Sequence, residues 1–192
     1  MASNKKTFQS VSEYLAFDRS SPVKNEYFDG AIFAMTGASR RHNLIAVDLT
    51  VELGRQLADR DCELYAGDMR VKITDAGFYT YPDIVAVCGR PDFEDNEVDT
   101  LLNPALIGEI LSKPTEAYDR GAKFEFYRGL ASLKQVLLIS QDRVHIESYV
   151  RQPDRTWLLS ETDDLEASVM LPSISCSFKV ANIYHKASFR QD

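Results

Sequence analysis

Two short runs, YTYPDIVAVC (79–88) and PALIGEIL (104–111), are apolar on both faces of an extended chain, yet each carries a single acid, Asp83 and Glu109. Runs of this length, rich in Val and Ile, read as buried central strands. A carboxylate buried without a partner is costly. A workable fold must therefore give both acids partners, and placing the two strands side by side lets one partner serve both. Pro82, just before Asp83, is out of place in a central strand because it has no N–H for the ladder.

The remaining elements can be laid out around these two runs. Residues 10–18 (SVSEYLAFD) pair a Ser cap with spaced apolar residues and predict a short helix. In KNEYFDGAIFAMT (24–36), Asp29-Gly30 between two strand-like runs predicts a hairpin. From His42 to Arg60, Leu44, Ile45, Val47, Leu49, Val51, Leu53 and Leu57 recur at helical spacing and predict a long helix. Strand signals follow at 62–73 (CELYAGDMRVKI), then a TDAG turn and the 79–88 strand; RPDFEDNEVDT (90–100) reads as an exposed acidic loop. After the Glu109 strand come a helix from about Thr115 to Arg128, the strand LKQVLLIS (133–140), and strand-like stretches in the tail at 144–151, 156–160 and 168–180. The expected class is α/β, or α+β: a mixed sheet flanked by helices. A single domain is expected over 1–192, with a core of about 42–140, an N-terminal helix and hairpin at 10–36, and a C-terminal β extension at 143–184.

Charge and cysteines narrow the function classes. The net charge is -7, which speaks against a surface that binds polyanions everywhere but allows a local basic groove or a metal that cancels carboxylate charge. Three cysteines, Cys62, Cys88 and Cys176, odd in number and far apart, predict reduced thiols and a cytoplasmic setting. No leader-like apolar segment or membrane-length run is apparent. Neither a phosphate-binding G-x-x-x-x-G-K-[ST] loop nor a G-x-G-x-x-G turn is present, so nucleotide-dependent chemistry has no support.

Two carboxylates in one apolar setting raise each other's pKa unless a cation lies between them. Hard oxygen ligands suit Mg2+ or Mn2+. On the following helix, Asp119, Lys123 and Tyr127 are four apart and share a face. If that face meets the end of the Glu109 strand, Lys123 reaches the metal-bound water or a phosphate. Two acids and a lysine around a divalent ion make a phosphodiesterase site. Each part also has a plain structural explanation: an acid at a strand end facing water, or Asp119 and Lys123 as an ordinary surface pair. The conjunction carries the weight. Accessory candidates are Glu26, which would add a metal or water ligand, and His42, which would cap the long helix or touch phosphate. Asp68 would pair with Arg70 or Arg41. His145 is expected to face solvent.

The stretches SVSEYLAFDRSSPVKNEYFDGAIFAMTGASRRHNLIAVDL, AGDMRVKI, TYPDIVAVC and EILSKPTEAYDRGAKFEFYRGLASLKQVLLI together resemble the Uma-two family of restriction-endonuclease-like proteins, over about Ser10 to Tyr184. That resemblance implies the PD-(D/E)xK nuclease fold, with Asp83 as the PD aspartate, Glu109 as the second acid and Lys123 as a lysine displaced onto the helix from its usual strand position, here Leu111. Where the family reads approximately E-V-L-S-P-S-T, this chain has Glu109-Ile110-Leu111-Ser112-Lys113-Pro114-Thr115. Ser112 thus falls within the motif, and Lys113 is a second candidate for the catalytic lysine. The resemblance further implies a DNA substrate and a homodimer. A binding or assembly module that keeps the fold with an inactive site is the alternative.

Overall fold

The computed structural model describes residues 6–7, 10–74, 77–187 and 189. β1 (Lys6–Thr7) precedes α1 (Val11–Ser20), whose cap is Ser10: its hydroxyl accepts the Glu13 N–H at 3.3 Å and donates to the Glu13 carboxylate at 3.0 Å, a reciprocal cap. β2 (Asn25–Phe28) and β3 (Ala31–Ala34) form the predicted hairpin. Asp29 and Gly30 both have positive φ, 45° and 77°, the two-residue turn that an Asp-Gly pair favours. α2 (Arg40–Leu57) follows, capped by Ser39, and buries Ile45, Leu49, Leu53 and Leu57 along one stripe.

The expected 62–73 strand is two strands, β4 (Cys62–Ala66) and β5 (Arg70–Thr74), separated at Gly67, where φ is +73°. The turn expected next falls partly on residues 75–76, outside the described residues. The 79–88 strand also divides, into β6 (Phe78–Thr80) and β7 (Ile84–Cys88), with Tyr81-Pro82-Asp83 between them. Pro82 therefore occupies no ladder position, which resolves its oddity. The acidic loop ends in β8 (Thr100–Leu101) and is tied down rather than free: the Arg19 guanidinium binds Asp95 at 2.7 Å and Asp99 at 2.8 Å.

β9 (Leu106–Leu111) holds Glu109. The helix after it is not uniform. α3 (Glu116–Tyr118) and α4 (Phe124–Gly129) are joined by a π turn at Asp119–Lys123. β10 (Gln135–Ser140), β11 (Ile146–Arg151) and β12 (Trp157–Thr162) come next, then the hairpin of β13 (Ser168–Leu171) and β14 (Cys176–Lys179), and α5 (Val180–Tyr184).

Among the described residues, two six-stranded sheets form beside the two-stranded β13–β14 hairpin. One runs β1-β3-β2-β6-β5-β8, so the N-terminal hairpin is part of a full sheet rather than an appendage; the other runs β12-β11-β10-β9-β7-β4. Both are mixed: β5–β8 and β9–β10 are parallel pairs. The chain passes from one sheet to the other at Tyr81–Asp83. Two main cores cover the second sheet's faces. One packs α2, α5 and the last hairpin against Ile84, Leu106 and Leu137; the other packs Tyr127 and Leu133 against Val85, Ile107 and Leu138.

One sequence expectation fails here. Cys62 and Cys88 lie opposite each other in the β4–β7 register and form a disulfide, with Cα atoms 4.0 Å apart. Distance along the chain hid a cross-strand pair. Cys176 remains a buried thiol.

Candidate active site

The crossing between the sheets concentrates acids. Glu26 on β2 faces the end of β6, where the Thr80 hydroxyl donates to its Oε1. Four residues later the chain enters β7, which pairs antiparallel with β9 through Ile84↔Gly108. Extending that register by one residue sets Asp83 beside Glu109. Asp83 is held from two sides: Oδ2 accepts the Ile110 N–H at 2.7 Å, and Oδ1 lies 3.0 Å from His42 Nε2 in the first turn of α2. The Asp83 side chain keeps 21% exposure, so the buried sequence environment inferred for it holds for its strand more than for its carboxylate.

Glu109 is buried. Lys123 Nζ stands 3.0 Å from its Oε1, and the Tyr127 hydroxyl donates to the same oxygen. Glu109 Oε2 makes none of these contacts. Lys123 also lies 3.2 Å from Glu26 and 3.7 Å from Asp119. Asp119 and Lys123 stand at the two ends of the π turn, and both are buried.

Burial lifts the Glu109 carboxyl to about 8, and the negative charges of Asp83 and Asp119 add to the rise against the pull of Lys123 and the Tyr127 hydrogen bond. Burial alone would lower the Lys123 ammonium, but Glu109 first, then Tyr127, Glu26 and Asp119, hold it well above its ordinary value. Burial raises Asp119 as well, opposed by Lys123. The cluster is therefore a buried cation among acids rather than a chance surface pair.

Sequence-predicted residues divide clearly. Asp83, Glu109, Lys123, Tyr127, Asp119, Glu26 and His42 come together. Asp68 does not: it is an exposed partner of Lys24 at 3.0 Å, while Arg70 turns inward to Asp18 at 3.0 Å and Asp99 at 3.2 Å. Lys113 is exposed beyond the end of β9. The Ser112 hydroxyl meets Thr115 at 3.0 Å at the start of the helix, a local turn contact. His145 is not a simple solvent-facing residue, since its Nε2 lies 3.2 Å from Glu147.

Sequence reasoning missed Glu147. In register, Glu109 pairs with Leu138, Leu138 with Glu147, and Glu147 with Glu161, so one rung carries three acids on one sheet face. The only signal was polar alternation in HIESYV. Ligand atoms of His145, Glu147 and Glu161 lie within 4.8 Å of one another. Both Glu147 oxygens already have protein partners, however: Arg120 and His145 at Oε1, and the Tyr149 hydroxyl at Oε2, 2.8 Å away. Two neighbouring residues of the π-turn helix thus serve two acids of the rung, Lys123 at Glu109 and Arg120 at Glu147.

Comparison with known proteins agrees with this architecture. Residues 11–181 match the family model Uma2, described as "Putative restriction endonuclease". Two Synechocystis proteins, both described as uncharacterized, are similar: slr1290 is 38% identical over 183 residues, covering 94% of this chain and 93% of its own, and sll1609 is 36% identical over 151 residues, covering 79% and 85%. A crystal structure of an Anabaena variabilis protein described as a putative nuclease of DUF820 superposes with a TM-score of 0.74 at 17% identity, covering 91% of this chain and 96% of that one. Among the described residues no helix is long and apolar enough to cross a membrane. A mixed α+β molecule with this sheet crossing, matched over nearly its whole length by the family model, belongs to the Uma2 family and has the restriction-endonuclease-like fold.

Proposed function

We propose that the protein is a Mg2+- or Mn2+-dependent endonuclease that hydrolyses phosphodiester bonds in DNA. The observation that carries this reading is the Lys123 amine at 3.0 Å from Glu109, with Asp83 just before the adjoining strand and held by the Ile110 N–H of Glu109's own strand. The two carboxylates offer the hard oxygen donors that these cations take, usually one or two protein carboxylates with water and phosphate completing the shell. Asp83 and Glu109 would hold the ion, with Glu26 near enough to Lys123 to contribute a further acid. A divalent ion there supplies a lowered pKa for water and neutralises phosphoryl charge.

The chain's own residues do the rest. The Ile110 N–H and His42 fix the Asp83 carboxylate, and Tyr127 orients Glu109. Lys123, kept cationic by the acids around it, sets a positive charge where charge builds on the phosphoryl oxygens. Hydrolysis joins the water oxygen to phosphorus and breaks one P–O ester bond, leaving a phosphate end and a hydroxyl end. Cutting both strands of a duplex takes two such sites, which a homodimer would provide.

The test is cleavage of supercoiled plasmid and labelled duplex with Mg2+ or Mn2+. Asp83→Ala and Lys123→Ala should each lose about a hundredfold or more. Wild-type activity in both variants would overturn the site. Metal-independent binding of DNA without any cleavage would favour the inactive binding module instead.

A further inference from the structure

The sheet face that carries the acid rung changes character toward the far end of β11. Past Glu147 the same face presents Tyr149 and then Arg151, with Trp157 opposite Arg151 on β12. Four residues separate Glu147 from Arg151, roughly 13 Å of extended strand. α4 runs along this interval from Phe124, packed on Tyr149, to Arg128, whose carbonyl meets Arg151.

Four cations gather at that end. Arg151 donates to the carbonyls of Arg128 and Leu130 at the end of α4, and its guanidinium lies 4.8 Å from the Trp157 ring centre. Arg128 stacks over Phe124 at 5.4 Å. Exposed Lys134 accepts the Arg151 N–H at its carbonyl, 2.8 Å away, and exposed Arg155 sits in the turn between β11 and β12 with φ 68°. The neighbouring Arg155 charge also lowers Arg151, after burial. None of the ion pairs among the described residues involves Arg128, Lys134, Arg151 or Arg155. The acid nearest in sequence, Asp154, directs one oxygen to the Thr156 N–H and hydroxyl at 3.0 and 2.7 Å. Unneutralised positive charge of this density is out of character for a chain of net charge -7.

Beside the cations lies aromatic surface. Phe124, Tyr149 and Trp157 are half-buried and mutually packed, at 4.4 Å for Phe124–Tyr149 and 5.9 Å for Phe124–Trp157. Guanidinium planes over partly exposed rings offer both a phosphate contact and a flat surface for a base.

We propose that this basic end of the β11–β12 hairpin, together with the end of α4, grips the sugar–phosphate backbone of a nucleic acid some distance from the bond being cut. Its separation from the Glu109 rung corresponds to about four base steps at 3.4 Å each. The acids of the site repel nucleic acid, so a contact remote from them supplies the attraction that the overall charge does not. The choice of nucleic acid as the occupant rests on the nuclease reading; the contact itself is measured apart from cleavage.

Binding of fluorescein-labelled single-stranded and duplex oligonucleotides of about 20 residues is followed by anisotropy in EDTA, over a range of salt concentrations. Trp157, the only tryptophan in the chain, gives a second readout through its intrinsic fluorescence. The triple variant Arg128→Gln, Lys134→Gln, Arg155→Gln leaves Arg151 in place to bind the α4 carbonyls. It should bind about tenfold or more weakly at low salt, with a salt slope smaller by about 2, while its circular dichroism and melting temperature stay near wild type. An unchanged affinity and slope overturns the proposal, as does a wild-type protein that binds neither oligonucleotide. Wild-type protein that binds through these residues but never cleaves leaves the contact standing and removes the nuclease reading. Cleavage by wild type with an unaltered KM in the triple variant does the reverse.

Discussion

The carboxylate of Asp83 is tied to the backbone of Ile110, whose N–H donates to Oδ2 at 2.7 Å. Because Ile110 follows Glu109, any movement of β9 against β7 shifts both acids together. Gly108 keeps those strands close: a Cβ there would stand 3.2 Å from the Ile84 Cβ. Gly108→Ala should cost about 1–3 kcal/mol in a urea melt and weaken Mn2+ uptake measured by calorimetry. Unchanged uptake would show that the strand spacing does not position Asp83.

The Lys123–Glu109 pair is buried on both sides. Lys123→Met leaves Glu109 without its cation and should destabilise by about 3–5 kcal/mol. In the double variant with Glu109→Gln the loss should fall short of the sum of the single losses by about 1 kcal/mol or more. Strict additivity in the denaturation cycle would mean that the two do not interact.

The folded chain holds the Glu109 proton up to about 8, whereas the unfolded chain releases it near the ordinary value of 4.5. Between those values the unfolded state binds fewer protons, so raising the pH favours unfolding. The stability that Glu109 contributes is complete below about 4.5 and is lost as the pH climbs through about 8. A divalent cation favours the ionised carboxylate, so Mg2+ should raise the melting temperature more at about pH 8 than at about pH 6. Glu109→Gln should flatten the metal-free dependence, and calorimetric melts with and without EDTA check both.

A second buried pair lies away from the acids. Asp18 takes Arg70 at 3.0 Å and the backbone N–H of Asn25 at 3.0 Å. Asp18→Ala takes from the buried Arg70 one of its two acids, leaving Asp99 at 3.2 Å, and should cost about 1–3 kcal/mol without changing Mn2+ affinity of the folded protein. A drop in affinity equal to that of a site variant would show that the two networks are coupled.

Denatured protein kept free of reductant should show one reactive thiol, Cys176, and three after reduction. Replacing both Cys62 and Cys88 by Ser should lower stability by about 3–4 kcal/mol, given the 26-residue separation that the bond closes. Three reactive thiols before reduction would remove the disulfide.

Local signals in the sequence carried far. The Ser10 cap, the Asp29-Gly30 turn and the α2 stripe each act within a few residues and are visible as motifs. The adjacency of Asp83 and Glu109 followed from two buried strands each needing a partner for one acid. What stayed hidden depends on pairing across the chain. The apolar residues continue through Tyr81 because both β6 and β7 are buried, so only Pro82 hinted that one run serves two sheets. Cys62 and Cys88 become neighbours only once β4 pairs with β7. Asp68 is offered Arg70 or Arg41 as a partner by the sequence, yet the α1 packing that draws Arg70 toward Asp18 has no signature in AGDMRVKI. Glu147 joined the acid rung through the β10 register, which periodicity does not specify.

The π turn between Asp119 and Lys123 gives this helix slack in length. A π turn uses one residue more than an α turn, so a single deletion inside it closes the turn to α and leaves α4 close to its place. Tyr127 would then keep its contact with Glu109. Within this family, a one-residue alignment gap at 120–122 would therefore be compatible with an intact site, where a gap elsewhere in the helix would not.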